Sequence, residues 1–167
     1  PEYELTKEKV EMIGRASALH DIGKIVVPDN IILKSSKLNE DEFEVIKSHT
    51  TRGAEIIDRL IHIENEEFCS YTTKGAEIIQ KSIRLNDKAV FDYAYDIARH
   101  HHEKYDGKGY PDGLKGEEIS IAAQIVSLVD VYDALTSRRV YKAAYKTDKA
   151  FQMVINGQSG EFSSKLL

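Results

Sequence analysis

The chain has 167 residues, 41% of them hydrophobic and 31% charged, which suits one domain with a sizeable core and excludes a disordered chain. Its net charge of −5 and isoelectric point near 5.7, without a basic stripe, exclude extended binding to duplex nucleic acid and leave room for a small phosphate ligand. The single cysteine, Cys69, rules out an internal disulfide and fits a reducing, cytoplasmic setting, while no apolar run approaches the ~18 residues of a membrane span.

The periodicity is helical almost throughout, and the expected fold class is all-α. Val10, Ile13, Ser17 and His20 share one face of a first helix, with Leu5 and Thr6 near its start. Gly23 is expected to end it. The stretch IVVPDNIILKSSK that follows reads mostly as loop. Asn39, with Glu42 three residues on, has the pattern of a capping box. The helix it opens carries Phe43, Ile46, His49, Gly53, Ile56 and Ile57.

An internal repeat follows. HTTRGAEII begins at His49 and YTTKGAEII at Tyr71, a period of about 22 residues, close to six helical turns. Two copies do not make a solenoid, so the repeat reads as a duplicated helical segment around residues 60–82. Val90, Ala94, Ile97, Ala98 and His101 then mark one buried helix face. They lead into HHHEKYDGKGYPDG, a turn-rich loop from His100 to Gly113. Ile119, Ala122, Val126 and Asp130 lie on one face of a helix that begins near Ser120, and a last helix is expected from Asp148 to Ile155.

Histidine and aspartate occupy positions where core residues belong. His101 points inward, His102 borders the same stripe, and His100 is expected in solvent. His20, beside Asp21, closes the stripe of the first helix. Asp130 closes another, and His49 adds a fourth position. A buried carboxylate is costly unless it is paired or bound to a cation. Imidazoles with carboxylates suit Fe, Mn, Zn or Ni. A lone inward histidine is more often a hydrogen-bonded core residue, and His62 takes that reading. Several such positions on separate helices favour a metal cage, with Asp21 the natural bridge between two ions. Asp133, one turn past Asp130, reads as a brace. Taken alone, Arg138, Arg139 and Lys142 read as a solvated helix end, and DGKGYPDG as a tight loop.

HDIGK (His20–Lys24), KSHT (Lys47–Thr50), HHEKYDGKGYP (His101–Pro111) and DVYDALTSRRVYK (Asp130–Lys142) occur in this order, and together they resemble the HD-GYP family of phosphodiesterases. The match runs through to NGQSGEF near the end of the chain. The resemblance implies an HD-superfamily helical bundle and a single domain over 1–167, shortened at both ends. It implies metal-dependent hydrolysis of cyclic di-GMP to pGpG or GMP in bacterial signalling, at a binuclear iron or manganese centre. By motif position, His20, Asp21, His49, His101, His102 and Asp130 match metal ligands. Asp21 and Lys24 match the catalytic pair, and Lys24, Tyr110, Arg139 and Lys142 match substrate contacts. These roles suit the chemistry, because paired cations activate water and hold the phosphate while lysine and arginine bind its oxygens.

The family also has a further metal-binding histidine, and in some members a glutamate, upstream of HD, which falls before Pro1. The spacing from His49 to His101 exceeds the family pattern, and the repeat accounts for the excess. Between its copies His49, not Tyr71, is expected at the ligand position, because EDEFEVIKSH fits the family better than ENEEFCSY. The expected partners are a small cyclic dinucleotide, a second copy of the chain through the repeated segment, and an N-terminal sensor or receiver domain. Two other readings stand beside the enzyme: a degenerate HD-GYP-like module for signalling or protein interaction, and a hydrolase of a different cyclic dinucleotide.

Overall fold

The computed structural model describes residues 3–62, 88–138 and 144–167, and the duplicated segment from 63 onward, Arg139 and Lys142 lie outside them. Among the described residues there are six α-helices and no strand, in agreement with the all-α expectation. They are α1 (Lys7–Ser17), α2 (Asp29–Ile32), α3 (Glu40–Ile61), α4 (Lys88–His100), α5 (Ile121–Thr136) and α6 (Thr147–Ile155).

Side-chain caps set several starts. The Thr6 hydroxyl accepts from the Lys9 amide at the head of α1. The Asn39 side-chain Oδ1 accepts from the Glu42 backbone amide at 2.8 Å, and the Glu42 carboxylate accepts from the Asn39 backbone amide at 2.9 Å, which completes the expected capping box of α3. Lys34 adds two bonds to the same carboxylate. Ser120 caps α5 through the Ala123 amide.

Two expectations change here. α1 ends at Ser17, not at Gly23. The chain then turns through residues 18–21 into a 3-10 segment, Ile22–Val26. The glycine serves close packing instead of a helix end: a Cβ on Gly23 would stand 1.9 Å from the His49 carbonyl oxygen and 2.5 Å from the Gly53 amide nitrogen. The stretch read as loop is thus partly ordered into this 3-10 segment and α2.

The main core joins four helices. Ile13 and Ala16 of α1, with Leu19 just beyond it, pack on Ile57 and Leu60 of α3. They also meet Val90, Phe91, Ala94, Ile97 and Ala98 of α4 and Ala122 and Val126 of α5. The predicted face of α4 is the buried one, as a period near 3.6 requires. A smaller cluster joins Leu135 of α5 to Ala150 and Val154 of α6. His62 is hydrogen-bonded to the Asp58 carbonyl, as expected, but it caps the exposed end of α3 and is not a core residue.

Candidate metal centre and active site

The backbone approach of Gly23 to α3 brings the HD turn against His49. Asp21 Oδ1 lies 3.4 Å from His49 Nε2 and 3.8 Å from His101 Nε2. His20 Nε2 lies 3.4 Å from Asp21 Oδ2, and its ring meets that of His101 edge-on at 5.2 Å. His102 completes the group, its ring 4.2 Å from that of His101 and 5.1 Å from that of His49. One ring nitrogen each of His49, His101 and His102 lies within 4.8 Å of the others, so these three could hold a metal ion.

The tautomers follow from the backbone. His49 Nδ1 donates to the Ile46 carbonyl at 2.6 Å, His101 Nδ1 to the Ile97 carbonyl at 2.9 Å, and His20 Nδ1 to the Ser17 carbonyl at 2.8 Å. A carbonyl only accepts, so Nδ1 carries a proton in each ring, and His20, its pKa raised by the Asp21 hydrogen bond, can donate from Nε2 as well when charged. Burial holds His49 below the usual imidazole range and lowers His101 to about 4 and His102 to about 3. In neutral His49 and His101 the Nε2 atoms therefore face each other as two lone pairs at 3.4 Å. Asp21 Oδ1, buried and without a donor among the described residues, faces them as a third acceptor. Burial pushes the Asp21 carboxyl up, but hydrogen bonds from His20 and Lys24 outweigh it and hold the group ionised, well below the usual range. Acceptors converging without donors are mutually repulsive unless a cation lies among them. The backbone bonds also orient the rings, as carbonyl partners do for metal-bound histidines. The residues fit a divalent metal.

Lys24 Nζ donates to Asp21 Oδ2 at 2.5 Å. Both line a cleft of about 640 Å³ between α1 and α5. Its polar wall holds His20, Asp21, Lys24, Asp130 and Asp133, and its apolar wall includes Val10 and Val129. Asp130 is half-buried and raises the affinity of His20 for its proton, secondary to the Asp21 hydrogen bond. It lies on the wall of the cleft rather than within the tight histidine group.

Tyr110 roofs the site, its ring stacked on His102 at 5.0 Å and 29°. Burial pushes its hydroxyl beyond the usual phenol range, so it stays a proton donor at neutral pH. Sequence reasoning missed what holds this roof. Phe43 meets Tyr110 edge-on at 6.3 Å, and the Lys47 ammonium lies 5.4 Å from the Phe43 ring centre and 5.7 Å from that of Tyr110. Buried Glu103 accepts from the amides of Asp112 and Gly113. His100 departs from expectation: it is mostly buried and bonded to Asp96 and Asp112, while Arg99 grips Asp112 with two bonds at 2.7 Å. Glu103, adjacent to the histidine run, was the one visible signal, an acidic group just where the chain enters a glycine-rich loop.

The protein-family model of the HD domain matches residues 2–81 and again 58–165. The two matches share 58–81, the stretch that contains the second copy of the repeat. A cyclic di-GMP phosphodiesterase of Vibrio cholerae serotype O1 is 36% identical over 97% of this chain and 29% of its own length. The cyclic di-GMP phosphodiesterase response regulator RpfG of Xanthomonas campestris pv. campestris is 41% identical over 87% of this chain and 32% of its own. A 3′3′-cGAMP-specific phosphodiesterase of Vibrio cholerae is 33% identical over 99% and 27%. The chain thus spans under a third of the length of these relatives. Matched by the HD domain model over two stretches that together cover nearly its whole length, the chain belongs to the HD domain family.

Proposed function

We propose that this domain is a metal-dependent phosphodiesterase that hydrolyses cyclic di-GMP to pGpG or GMP. The observation that carries the reading is the convergence of the His49 and His101 Nε2 lone pairs on the buried, donorless Oδ1 of Asp21. Similarity to relatives named for this activity supports the substrate.

His20, Asp21, His49, His101, His102 and Asp130 would hold divalent cations, with iron or manganese favoured, which would supply positive charge to the phosphate and lower the pKa of water. Asp21 is the residue able to serve two ions, since its Oδ1 faces His49 and His101 while Oδ2 faces His20 and Lys24. Lys24, nearly half exposed in the cleft, exchanges its bond to Asp21 for a phosphate oxygen and donates to the departing sugar oxygen. The Tyr110 hydroxyl donates to the phosphate from above. Arg139 and Lys142 match ligand-contacting positions by their place in the motif. The resemblance and the response-regulator name of one relative support a cytoplasmic domain preceded by a sensor or receiver module.

The test is metal content of anaerobically purified protein, with turnover of cyclic di-GMP on addition of Mn²⁺ or Fe²⁺. Two metals per chain and turnover that His49→Ala abolishes are expected. Metal-loaded protein without turnover favours the signalling module, and faster turnover of 3′3′-cGAMP assigns the other substrate.

A further inference from the structure

Beside Glu103 lies a small, partly open space of about 10 Å³, whose polar lining is Glu103, Gln124, Ser127 and Ser163 with Tyr105 and Glu161. It is the size of one water-sized particle. Two buried acceptors border it without a donor among the described residues. Glu103 is 3% exposed, and its Oε1 is taken by the Asp112 and Gly113 amides at 2.7 and 3.0 Å, whereas Oε2 meets no donor. Gln124 is 5% exposed, and its Nε2 donates to the Ile119 carbonyl at 2.8 Å. That bond fixes the amide orientation and leaves Oε1 likewise without a donor.

We propose that this space binds one monovalent alkali cation, of sodium or potassium size, between Glu103 Oε2 and Gln124 Oε1. A water could donate to both oxygens but would leave the buried carboxylate with Arg99 as its only nearby counter-charge among the described residues, and a buried charge is costly unless paired. The neighbouring guanidinium, Arg99, is committed to Asp112 by two short bonds. The lining side-chain donors are oxygens only, which selects a hard cation over a transition metal. Glu103 is the one buried carboxylate on the lining, Glu161 being exposed to solvent, and one buried carboxylate balances one positive charge. A calcium ion needs six to eight oxygen ligands and magnesium a strict octahedron, more than a one-particle space provides. The serines complete the cradle: Ser163 is 1% exposed and already shares a proton with the Tyr3 hydroxyl at 2.9 Å.

The ion fastens the loop that carries Tyr110 to α5, through Gln124, and to the C-terminal segment, through Ser163. It is a second site, separate from the histidine cluster and independent of the catalytic reading.

The test compares thermal midpoints of the whole chain in NaCl, KCl and tetramethylammonium chloride at equal ionic strength, with divalent metal content held fixed. At ten times its dissociation constant the ion raises the midpoint by about 3–6 °C in a chain of this size. Glu103→Gln removes the difference between salts. Should that variant not fold, wild-type crystals soaked in thallous salt decide the matter. A single anomalous peak between Glu103 and Gln124 is expected. Equal midpoints in all three salts, or the absence of that peak, overturns the proposal.

Discussion

Gly23 and His49 touch through their backbones, so closely that one added methyl group on Gly23 would overlap the His49 carbonyl. This contact seats Asp21 beside the His49 ring. Gly23→Ala is expected to push the HD turn away from α3, at a cost of about 1–3 kcal/mol for the overpacking. Metal content falls with it, while far-UV circular dichroism keeps its helical shape. Unchanged metal content would show that the turn tolerates the displacement.

Metal removal should destabilise the fold, because the lone pairs of His49 and His101 then confront each other and Asp21 Oδ1 in a buried space. Treatment with a chelator is expected to lower the thermal midpoint by about 5–15 °C, the scale of a ligand bound far above its dissociation constant. Restoring manganese or iron should restore it. Scanning calorimetry of both states measures the shift.

Tyr110 offers two separable contributions, a ring stacked on His102 and a hydroxyl that stays protonated. Tyr110→Phe keeps the ring and is expected to lower kcat by about tenfold, the worth of one hydrogen bond near 1.4 kcal/mol. Tyr110→Ala loses both and should also weaken metal retention by uncovering His102. Equal kcat for the wild type and the phenylalanine variant would remove the hydroxyl from the reaction.

Asn39→Ala removes the acceptor of the Glu42 amide and half of the capping box of α3. A loss of about 1 kcal/mol is expected in urea unfolding. Turnover should be unchanged, since His49 lies more than two helical turns further on.

Periodicity made much of this molecule legible. The α4 face from Val90 to His101 and the Asn39 cap are local patterns, and local patterns survive folding when a core covers the face they define. The candidate group His20, Asp21, His49, His101 and His102 was legible because ordered motifs named residues that the fold then brought together. Gly23 was misread because a glycine after a helical stripe usually marks its end, whereas here it marks a contact with His49 and Gly53 of α3, distant in the chain. His100 was misread because its partner Asp112 arrives through the fold of the loop, which no helix period encodes. The bracket of Phe43 and Lys47 around Tyr110 is likewise a contact between distant segments.

The division of the core has a consequence for motion. Val126 belongs to the main cluster and Leu135 to the smaller one, so α5 runs from one to the other and Asp130 stands at the seam. Amide hydrogens of α6 draw their protection from few buried side chains, Ala150 and Val154 foremost, and should exchange with solvent well before those of α3 and α4. The wall of the cleft that carries Asp130 is therefore anchored on one side by a slowly exchanging block and on the other by a quickly opening one. Opening at the C-terminal end can loosen that wall while the histidines on α3 and at the end of α4 stay in place.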